Sequence, residues 1–357
     1  MDENALKRFI ATSYGIEMVS VRPLGGDAVS SSVFLCTDQS GKQYVFKQSD
    51  WHQSRAPYEK AYAVSEELRA RGVPLPRVYR THMGQFVALL SEEAGERFFV
   101  LMDHIPGVPY EFSEPFSHEA GRALGLFHAQ GALYLREHPE EVQTISEQIP
   151  QEKPYEESRA LYGPVHREQF LSLHECELPL VCALVREKIS FIDKQIEYLD
   201  RVPFDDGVRM QTVRHGDFHM GNGLYSPDGS LRGLIDIDQM GTGPALWDIG
   251  AALLSLGWKG YEAGKHAQTE EQVRTFLKAY HKENPLLPEE YELILPAAIR
   301  WDMMRVLRSL RRHHFEGNRL PELTQKIEKH LLRRIEMLPE LLSFLDLPWI
   351  EKHLGKE

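Results

Sequence analysis

The sequence predicts an α+β protein in which strands dominate the first third of the chain and helices dominate the rest. The strand prediction rests on five short runs rich in β-branched and aromatic residues, at 18–21, 33–36, 43–47, 86–91 and 97–102. Past Pro106-Gly107, which is a boundary signal, apolar residues recur mainly at helical spacing. We therefore expect an N-terminal domain over residues 1–106 and a larger, mostly helical domain over residues 107–357.

The composition of the 357-residue chain, with 42% hydrophobic and 26% charged residues, is typical of a soluble globular protein. The net charge of −12 argues against nucleic-acid binding and mildly favours a cationic small-molecule partner, with a role in solubility alone as the alternative. No apolar run approaches the roughly 18 residues that a membrane span requires. Because the N-terminus is acidic and the three cysteines lack metal-ligand spacing, we expect a cytoplasmic protein with reduced thiols.

A glycine- and serine-rich turn, Leu24–Ser32, follows a short predicted helix over residues 2–14 and separates the first two strands. Such a turn lets backbone N–H groups approach phosphate oxygens without obstruction by side chains. The candidates for a phosphate contact are Gly25, Gly26, Ser30 and Ser31. The turn lacks the Walker A spacing, so that on these residues alone an ordinary hairpin turn is the alternative.

Lys47 ends the third predicted strand, and an amphipathic helix is predicted next, from Tyr58 to Arg71. Five later segments predict helices of the second domain, over residues 117–131, 178–201, from residue 251 onward, 271–281 and 289–312. His128, in the first of these, is expected on a helix face or in the core and not as a ligand. The three-residue repeat of Trp301, Met304, Leu307 and Leu310 in the last is typical of core packing. The basic side of that helix, which includes Arg305, is expected to be solvated and paired with acids, with anion binding as the alternative.

The stretch from Val213 to Gly250 concentrates acids and amides on short loops. Asn222 follows Asp217 by five residues, and a Pro-Asp-Gly turn separates this loop from a short apolar run that holds Asp236 and Asp238. One or two carboxylates with an amide oxygen suit a hard cation such as Mg²⁺, whose coordination shell is completed by substrate phosphates. Asp217 is then left beside the cluster, where it can accept a proton from a hydroxyl group.

His215-Gly216-Asp217 with Asn222 resembles the H-G-D-x-x-x-x-N catalytic loop of aminoglycoside phosphotransferases, choline kinases, homoserine kinases and their relatives. Ile235-Asp236 resembles the metal-binding I-D of that family. Trp247-Asp248-Ile249-Gly250 resembles its D-I/L-G element, whose aspartate braces the catalytic loop. Three elements in order at the family's spacing make the match specific, and it covers about residues 20–310.

The resemblance implies a bilobal, protein-kinase-like fold, with a small antiparallel sheet and one helix in the N-terminal lobe and ATP with Mg²⁺ between the lobes. GTP is the alternative nucleotide. The resemblance also implies that Asp217 is the catalytic residue and that Asn222 and Asp236 bind the metal. Asp238 is a possible auxiliary metal ligand or substrate contact, since alternation in an extended segment would place it on the same face as Asp236.

In the N-terminal lobe, the resemblance implies that Lys47 contacts the ATP phosphates and pairs with a glutamate of the helix that follows. Glu59 is the preferred partner because it lies on the first turn and can face the sheet, and Glu66 and Glu67 are the alternatives. The adenine is expected against the backbone of the linker, at Asp103, His104 and Ile105.

The function implied by the resemblance is transfer of the ATP γ-phosphate to a hydroxyl of a small molecule. The candidate acceptors are amino alcohols, homoserine-like amino acids and hydroxylated antibiotics. A bacterial stress-type Ser/Thr protein kinase and a non-catalytic scaffold protein of the same fold are the alternatives. A metal-dependent hydrolase built on His215, Asp217 and His219 is disfavoured because no second histidine cluster accompanies them.

Overall fold

The computed structural model describes residues 2–25, 33–49, 54–92, 95–141, 179–202, 211–314, 338–339 and 341–355. Its N-terminal part consists of helix α1 (Glu3–Tyr14), strands β1 (Met18–Gly25), β2 (Val33–Asp38) and β3 (Gln43–Ser49), helix α2 (Arg55–Ala70), and strands β4 (Val87–Glu92) and β5 (Gly95–Asp103). The five strands and two helices predicted for this part are therefore confirmed.

The five strands form one sheet in the order β1-β2-β3-β5-β4, and all neighbouring strands are antiparallel. Side chains alternate between the two faces along β5. Phe99 packs with Ile10 of α1, whereas Phe98 packs in a separate cluster with Tyr58 of α2. Each face of the sheet is thus covered by one helix. Because Phe46 belongs to the α1 side, the neighbouring Lys47 of β3 lies on the α2 side.

The C-terminal part is mostly helical. It consists of α3 (Glu114–Glu137), α4 (Pro179–Leu199), β6 (Gln211–Arg214), β7 (Gly223–Tyr225), β8 (Leu231–Leu234), β9 (Gly241–Pro244), α5 (Leu246–Glu262), α6 (Thr269–Glu283), α7 (Pro288–His314) and α8 (Leu347–Leu354). The five predicted helical segments correspond to α3, α4, α5, α6 and α7, which confirms the predicted architecture. The apolar cluster that packs under α2 continues into these helices. The domain boundary at residue 106 therefore stays a prediction.

Two strand pairs carry the central stretch: β6 pairs with β9, and β7 pairs with β8. Helix α5 follows β9 and crosses α7 at close range. A Cβ atom at Gly250 would lie 2.6 Å from the carbonyl oxygen of Ala297, so only glycine permits this backbone-to-backbone contact. Pro296, inside α7, immediately precedes the contact.

The predicted apolar stripe of α7 packs in the core. Met304 and Leu307 are buried and Trp301 is half-buried against the same cluster, while the side chain of Leu310 lies outside the described residues. Residues 142–178, which include most of the unmatched polar stretch, also lie outside them. Among the helices that are described, none is long and apolar enough to cross a membrane.

Candidate active site

The loop that follows β6 is held by a hydrogen bond within the loop and by another to the segment at Ile235. β6 ends at Arg214, Gly216 turns the chain with a φ of +83°, and a 3₁₀ helix, Met220–Asn222, closes the loop. The Asn222 side-chain amide donates to the main-chain oxygen of Asp217 at 2.9 Å. The main-chain oxygen of Asn222 in turn accepts from the N–H of Ile235 at 2.9 Å. These two bonds bring the predicted catalytic loop and the predicted metal-binding segment side by side.

The carboxylate of Asp248, at the start of α5, holds the main chain at the beginning of this loop. It accepts hydrogen bonds from the N–H of His215 at 2.6 Å and from the N–H of Gly216 at 3.0 Å. Burial alone would raise the pKa of Asp248, but the hydrogen bond from His128 and the nearby Arg214 lower it, and the pKa lies below its ordinary value. Asp248 is therefore ionised at neutral pH and can orient both N–H groups.

His128 of α3 is a core histidine, as predicted, and it supports Asp248. Its Nε2 lies 3.1 Å from the Asp248 carboxylate, and its Nδ1 lies 2.8 Å from the hydroxyl of Tyr280. Burial lowers the pKa of His128, so that the ring is neutral and its proton lies on Nε2, toward the carboxylate. The side chain of Asn284 completes the chain by donating to the Tyr280 hydroxyl at 2.7 Å.

His215 has a structural role in the loop. It is fully buried, and its Nε2 is bonded to the main-chain oxygen of Ile235 at 2.9 Å. The histidine thus joins the two loops from the inside, in parallel with the bond from Ile235 to Asn222.

Asp217 receives a charged partner that sequence reasoning missed. The guanidinium Nη2 of Arg305, on α7, donates to Oδ1 of Asp217. Burial alone would raise the pKa of the Asp217 carboxyl, but Arg305 and His219 lower it, and the pKa lies below its ordinary value. Arg305 was expected on a solvated helix side with acidic partners. The acid that it contacts is the predicted catalytic residue, 88 positions earlier in the chain.

Lys47 is buried between two acids of the following lobe. Its Nζ lies 2.5 Å from Oδ1 of Asp236 and 2.9 Å from Oδ2 of Asp238. Burial alone would lower the pKa of Lys47, but Asp238 and Asp236 raise it above its ordinary value. Lys47 is therefore a fixed cation at the junction of the sheet and the central loops.

The structure corrects the expected partner of Lys47. The carboxylate of Glu59 accepts from the N–H groups of Phe86 and Val87 at 2.9 and 2.8 Å, at the start of the edge strand β4. Glu66 pairs with Arg69 and accepts from the N–H of Val78, and Glu67 is exposed. The contribution of α2 is instead Tyr62, whose hydroxyl donates to Asp238 at 2.8 Å. Asp238 thus takes the place that was expected for a glutamate of α2.

The segment that holds Asp236 and Asp238 is not extended, which removes the alternation argument for a shared face. Asp236 has a φ of +64°, the left-handed region that favours glycine, asparagine and aspartate, and a turn from Ile237 to Met240 follows it. The two carboxylates converge on Lys47 all the same. With its bonds to Lys47 and Tyr62, Asp238 is less available to a metal than Asp236, whose side chain is 41% exposed.

The residues predicted to bind Mg²⁺ form a small oxygen-donor set. Asn222 has its amide nitrogen committed to Asp217, and no described residue donates to its Oδ1. No group of three His, Cys, Asp or Glu side chains that could hold a metal occurs among the described residues. One amide oxygen and one carboxylate fit a Mg²⁺ ion that takes its remaining ligands from phosphates and water, and do not fit a metal held by protein side chains alone.

The linker after β5 has two of its N–H groups committed. The N–H of Asp103 donates to the main-chain oxygen of Arg77 at 2.9 Å, and the N–H of His104 donates to the main-chain oxygen of Gln43 at 3.3 Å. For the N–H of Ile105, the described part of the chain offers no main-chain acceptor. At the other predicted nucleotide contact, Gly25 ends β1, and Gly26, Ser30 and Ser31 lie outside the described residues.

A family model described as "Phosphotransferase enzyme family" matches residues 20–294. Among solved structures, an amicoumacin kinase in complex with AMP-PNP, Ca²⁺ and Ami is 20% identical to this chain. It superposes with a TM-score of 0.64 over 97% of this chain and 95% of its own. A spectinomycin phosphotransferase, APH(9)-Ia, in complex with ADP and spectinomycin, is 15% identical, with a TM-score of 0.61 and 99% of both chains covered.

Choline kinase LicA from Streptococcus pneumoniae is 17% identical and has a TM-score of 0.54, with 93% of this chain and 98% of the kinase covered. No curated protein sequence matches the chain. At these identities the solved structures show only that the fold is shared. The evidence for a family is the match of the family model to residues 20–294.

Proposed function

Because the chain belongs to the phosphotransferase enzyme family, we propose that it transfers the γ-phosphate of ATP, or of GTP, to a hydroxyl group of a small molecule in the presence of Mg²⁺. The observation that carries the proposal is the meeting of Lys47, Asn222, Asp236 and Asp217 at one junction. Lys47 reaches Asp236 from the N-terminal sheet, and Asn222 is bonded to both the Asp217 main chain and Ile235.

In the proposed reaction the acceptor hydroxyl oxygen forms a bond to the γ-phosphorus while the bond to the β,γ-bridging oxygen breaks, and the nucleoside diphosphate leaves. Asp217 orients the hydroxyl and takes its proton. Its lowered pKa keeps the carboxylate ionised at neutral pH, so that it can accept without further tuning. The Asp248 brace holds the main chain before Asp217 in place, which limits the movement of the carboxylate relative to the hydroxyl.

The phosphates are expected beside Lys47, whose charge is fixed by burial between two carboxylates. Asn222 Oδ1 and the Asp236 carboxylate would hold Mg²⁺, which supplies positive charge to the transferred phosphoryl group when bound. Gly25, Gly26, Ser30 and Ser31 are proposed to cover the phosphates. The N–H of Ile105 is proposed to bind the base, because those of Asp103 and His104 are already used.

The test is nucleotide turnover by the purified protein with Mg²⁺, against hydroxylated amines, amino acids and antibiotics. Stimulation by one small molecule is the expected result. Asp217→Asn should keep nucleotide affinity near the wild-type value and lower turnover by about 10²- to 10⁴-fold. Full activity in that variant would remove Asp217 from the mechanism.

The alternatives are separated by the same assay. Casein-type acceptors run in parallel would be labelled by a stress-type protein kinase without any small-molecule stimulation. A scaffold protein would neither bind Mg-ATP nor turn it over. A cytoplasmic location stays a prediction from the sequence.

A further inference from the structure

The carboxylate of Asp217 lies beside the guanidinium of Arg305. Arg305 donates to Oδ1 from one side, and its guanidinium lies 4.9 Å from the ring centre of Trp301, one helical turn earlier on α7. The Nε of Arg305 is buried without a hydrogen-bond partner. The guanidinium has five N–H groups, and the single contact to Asp217 uses one of its two terminal nitrogens, so donor capacity remains at this site.

His219 supplies a second donor. The N–H of Gly221 donates to Nδ1 of His219 at 3.0 Å, so Nδ1 carries no proton. Because Nδ1 is the acceptor, the proton of the ring lies on Nε2, which makes Nε2 a donor. Among the described residues, none accepts a hydrogen bond from Nε2. His219 lies two residues after Asp217 in the same loop, Arg305 contacts Asp217 directly, and the electrostatic partners of His219 include Asp217, Arg305 and Asp236.

An acceptor hydroxyl that reaches Asp217 must bring its neighbouring atoms into this cluster. The charge of Asp217 is already matched by Arg305, so an ammonium group beside the hydroxyl gains little from the aspartate and is repelled by the guanidinium. A carboxylate at the same place can accept from the guanidinium and from the imidazole N–H in charge-assisted bonds. The local charge thus opposes the preference for cationic partners that the net charge of the whole chain suggests.

We propose that Arg305 and His219 form a subsite for a carboxylate carried by the acceptor next to its reacting hydroxyl. The subsite rests on the proposed phosphoryl transfer, and it selects hydroxy acids and amino acids with a free carboxylate over amino alcohols. Arg305 is then a specificity-determining residue, contributed by a helix far from the catalytic loop in sequence.

The experiment uses three probes with one carbon skeleton: glycerate, which is anionic, glycerol, which is neutral, and 3-amino-1,2-propanediol, which is cationic. Binding to the full-length protein loaded with Mg²⁺ and AMP-PNP is followed by ligand-observed NMR, and turnover of each probe is measured separately. Glycerate should bind about 10- to 100-fold more tightly than the amine, as expected for a charge-assisted bond. Arg305→Ala should remove most of that ratio, and Arg305→Lys should restore part of it.

The matched control is Arg274→Ala, which removes the same group from an exposed pair with Glu271 on α6. It should leave the ratio unchanged. Equal or tighter binding of the amine, a ratio that survives Arg305→Ala, or no binding of any probe would each overturn the subsite. Loss of AMP-PNP binding in the wild type would instead overturn the proposed function, so the two failures are distinguishable.

Discussion

Asp248 and Asp217 lie in the same central stretch, yet the protein uses the two carboxylates in opposite ways. Asp248 accepts from two main-chain N–H groups and from a buried histidine, all of which are fixed by the fold. Asp217 has a long arginine side chain as its charged partner, and that side chain is 31% exposed. The first carboxylate is enclosed by groups that the fold fixes, whereas the second has a partner that solvent can reach.

The same contrast holds for the two acids that meet Lys47. The side chain of Asp238 is 5% exposed and contacts both Lys47 and Tyr62, while that of Asp236 is 41% exposed and pairs, within the described part of the chain, with Lys47. Asp238 thus positions Lys47 from the buried side, and Asp236 leaves a carboxylate accessible beside it.

The largest expected effect tests the Asp248 side of the comparison. Asp248→Asn would place an amide N–H against the N–H of His215 or Gly216 and leave a buried donor unpaired. We expect the free energy of unfolding to fall by about 2 to 3 kcal/mol, measured by urea denaturation. Asp217→Asn is the control and should change stability far less, because its partner is partly exposed. A larger loss in Asp217→Asn than in Asp248→Asn would reverse the comparison.

The next effect separates positioning of Lys47 from packing of α2. Asp238→Asn should raise the KM for nucleotide about 10-fold, because Lys47 loses its buried counterion. Glu59→Gln should leave that KM unchanged and lower the free energy of unfolding by about 1 kcal/mol, because its amide accepts from only one of two N–H groups. Steady-state kinetics at saturating acceptor decides between them. A raised KM in Glu59→Gln alone would return Glu59 to the role that the sequence predicted.

The smallest effect concerns pH. The pKa of His128 is lowered by burial, so the unfolded chain binds a proton at a higher pH than the folded protein. The contribution of neutral His128 to the free energy of unfolding is then fully present above the unfolded pKa of about 6.5 and is lost as the pH falls toward the folded pKa. The slope is no more than about 1.4 kcal/mol per pH unit. His128→Gln keeps a donor for Asp248 and an acceptor for Tyr280 but does not titrate. Urea midpoints that respond equally to pH in both proteins would exclude His128 as the source.

Much of the site could be predicted because its groups are close in sequence. Asp217, Asn222, Asp236 and Asp248 all lie within one stretch of 38 residues, 213–250, where three short motifs in order carry the resemblance to the family. The strands and helices were predictable for a similar reason. Alternation and helical periodicity are local, and Phe98 and Phe99 on opposite faces of β5 are read directly from neighbouring positions.

The rest depends on contacts between distant positions. Arg305 lies on a helix whose basic side has no local feature that marks one arginine as a partner of Asp217. The sequence predicts Glu59 as the partner of Lys47 because Glu59 can face the sheet. In the structure its carboxylate instead accepts from the N–H groups of Phe86 and Val87 at the start of β4, a contact that no local pattern indicates. A left-handed aspartate at 236 was equally hidden, since no glycine or asparagine marks the position.

The contact of Gly250 with Ala297 fixes more than the crossing of two helices. The contact fixes the position of Ala297 on α7 relative to α5. Arg305 lies eight residues further along the same helix, about 12 Å away at the rise of an α-helix. One inserted residue between the two would rotate Arg305 by about 100° and carry its guanidinium off Asp217. Natural variation in this protein should therefore tolerate exchanged side chains between positions 297 and 305 far better than a change in the length of that segment.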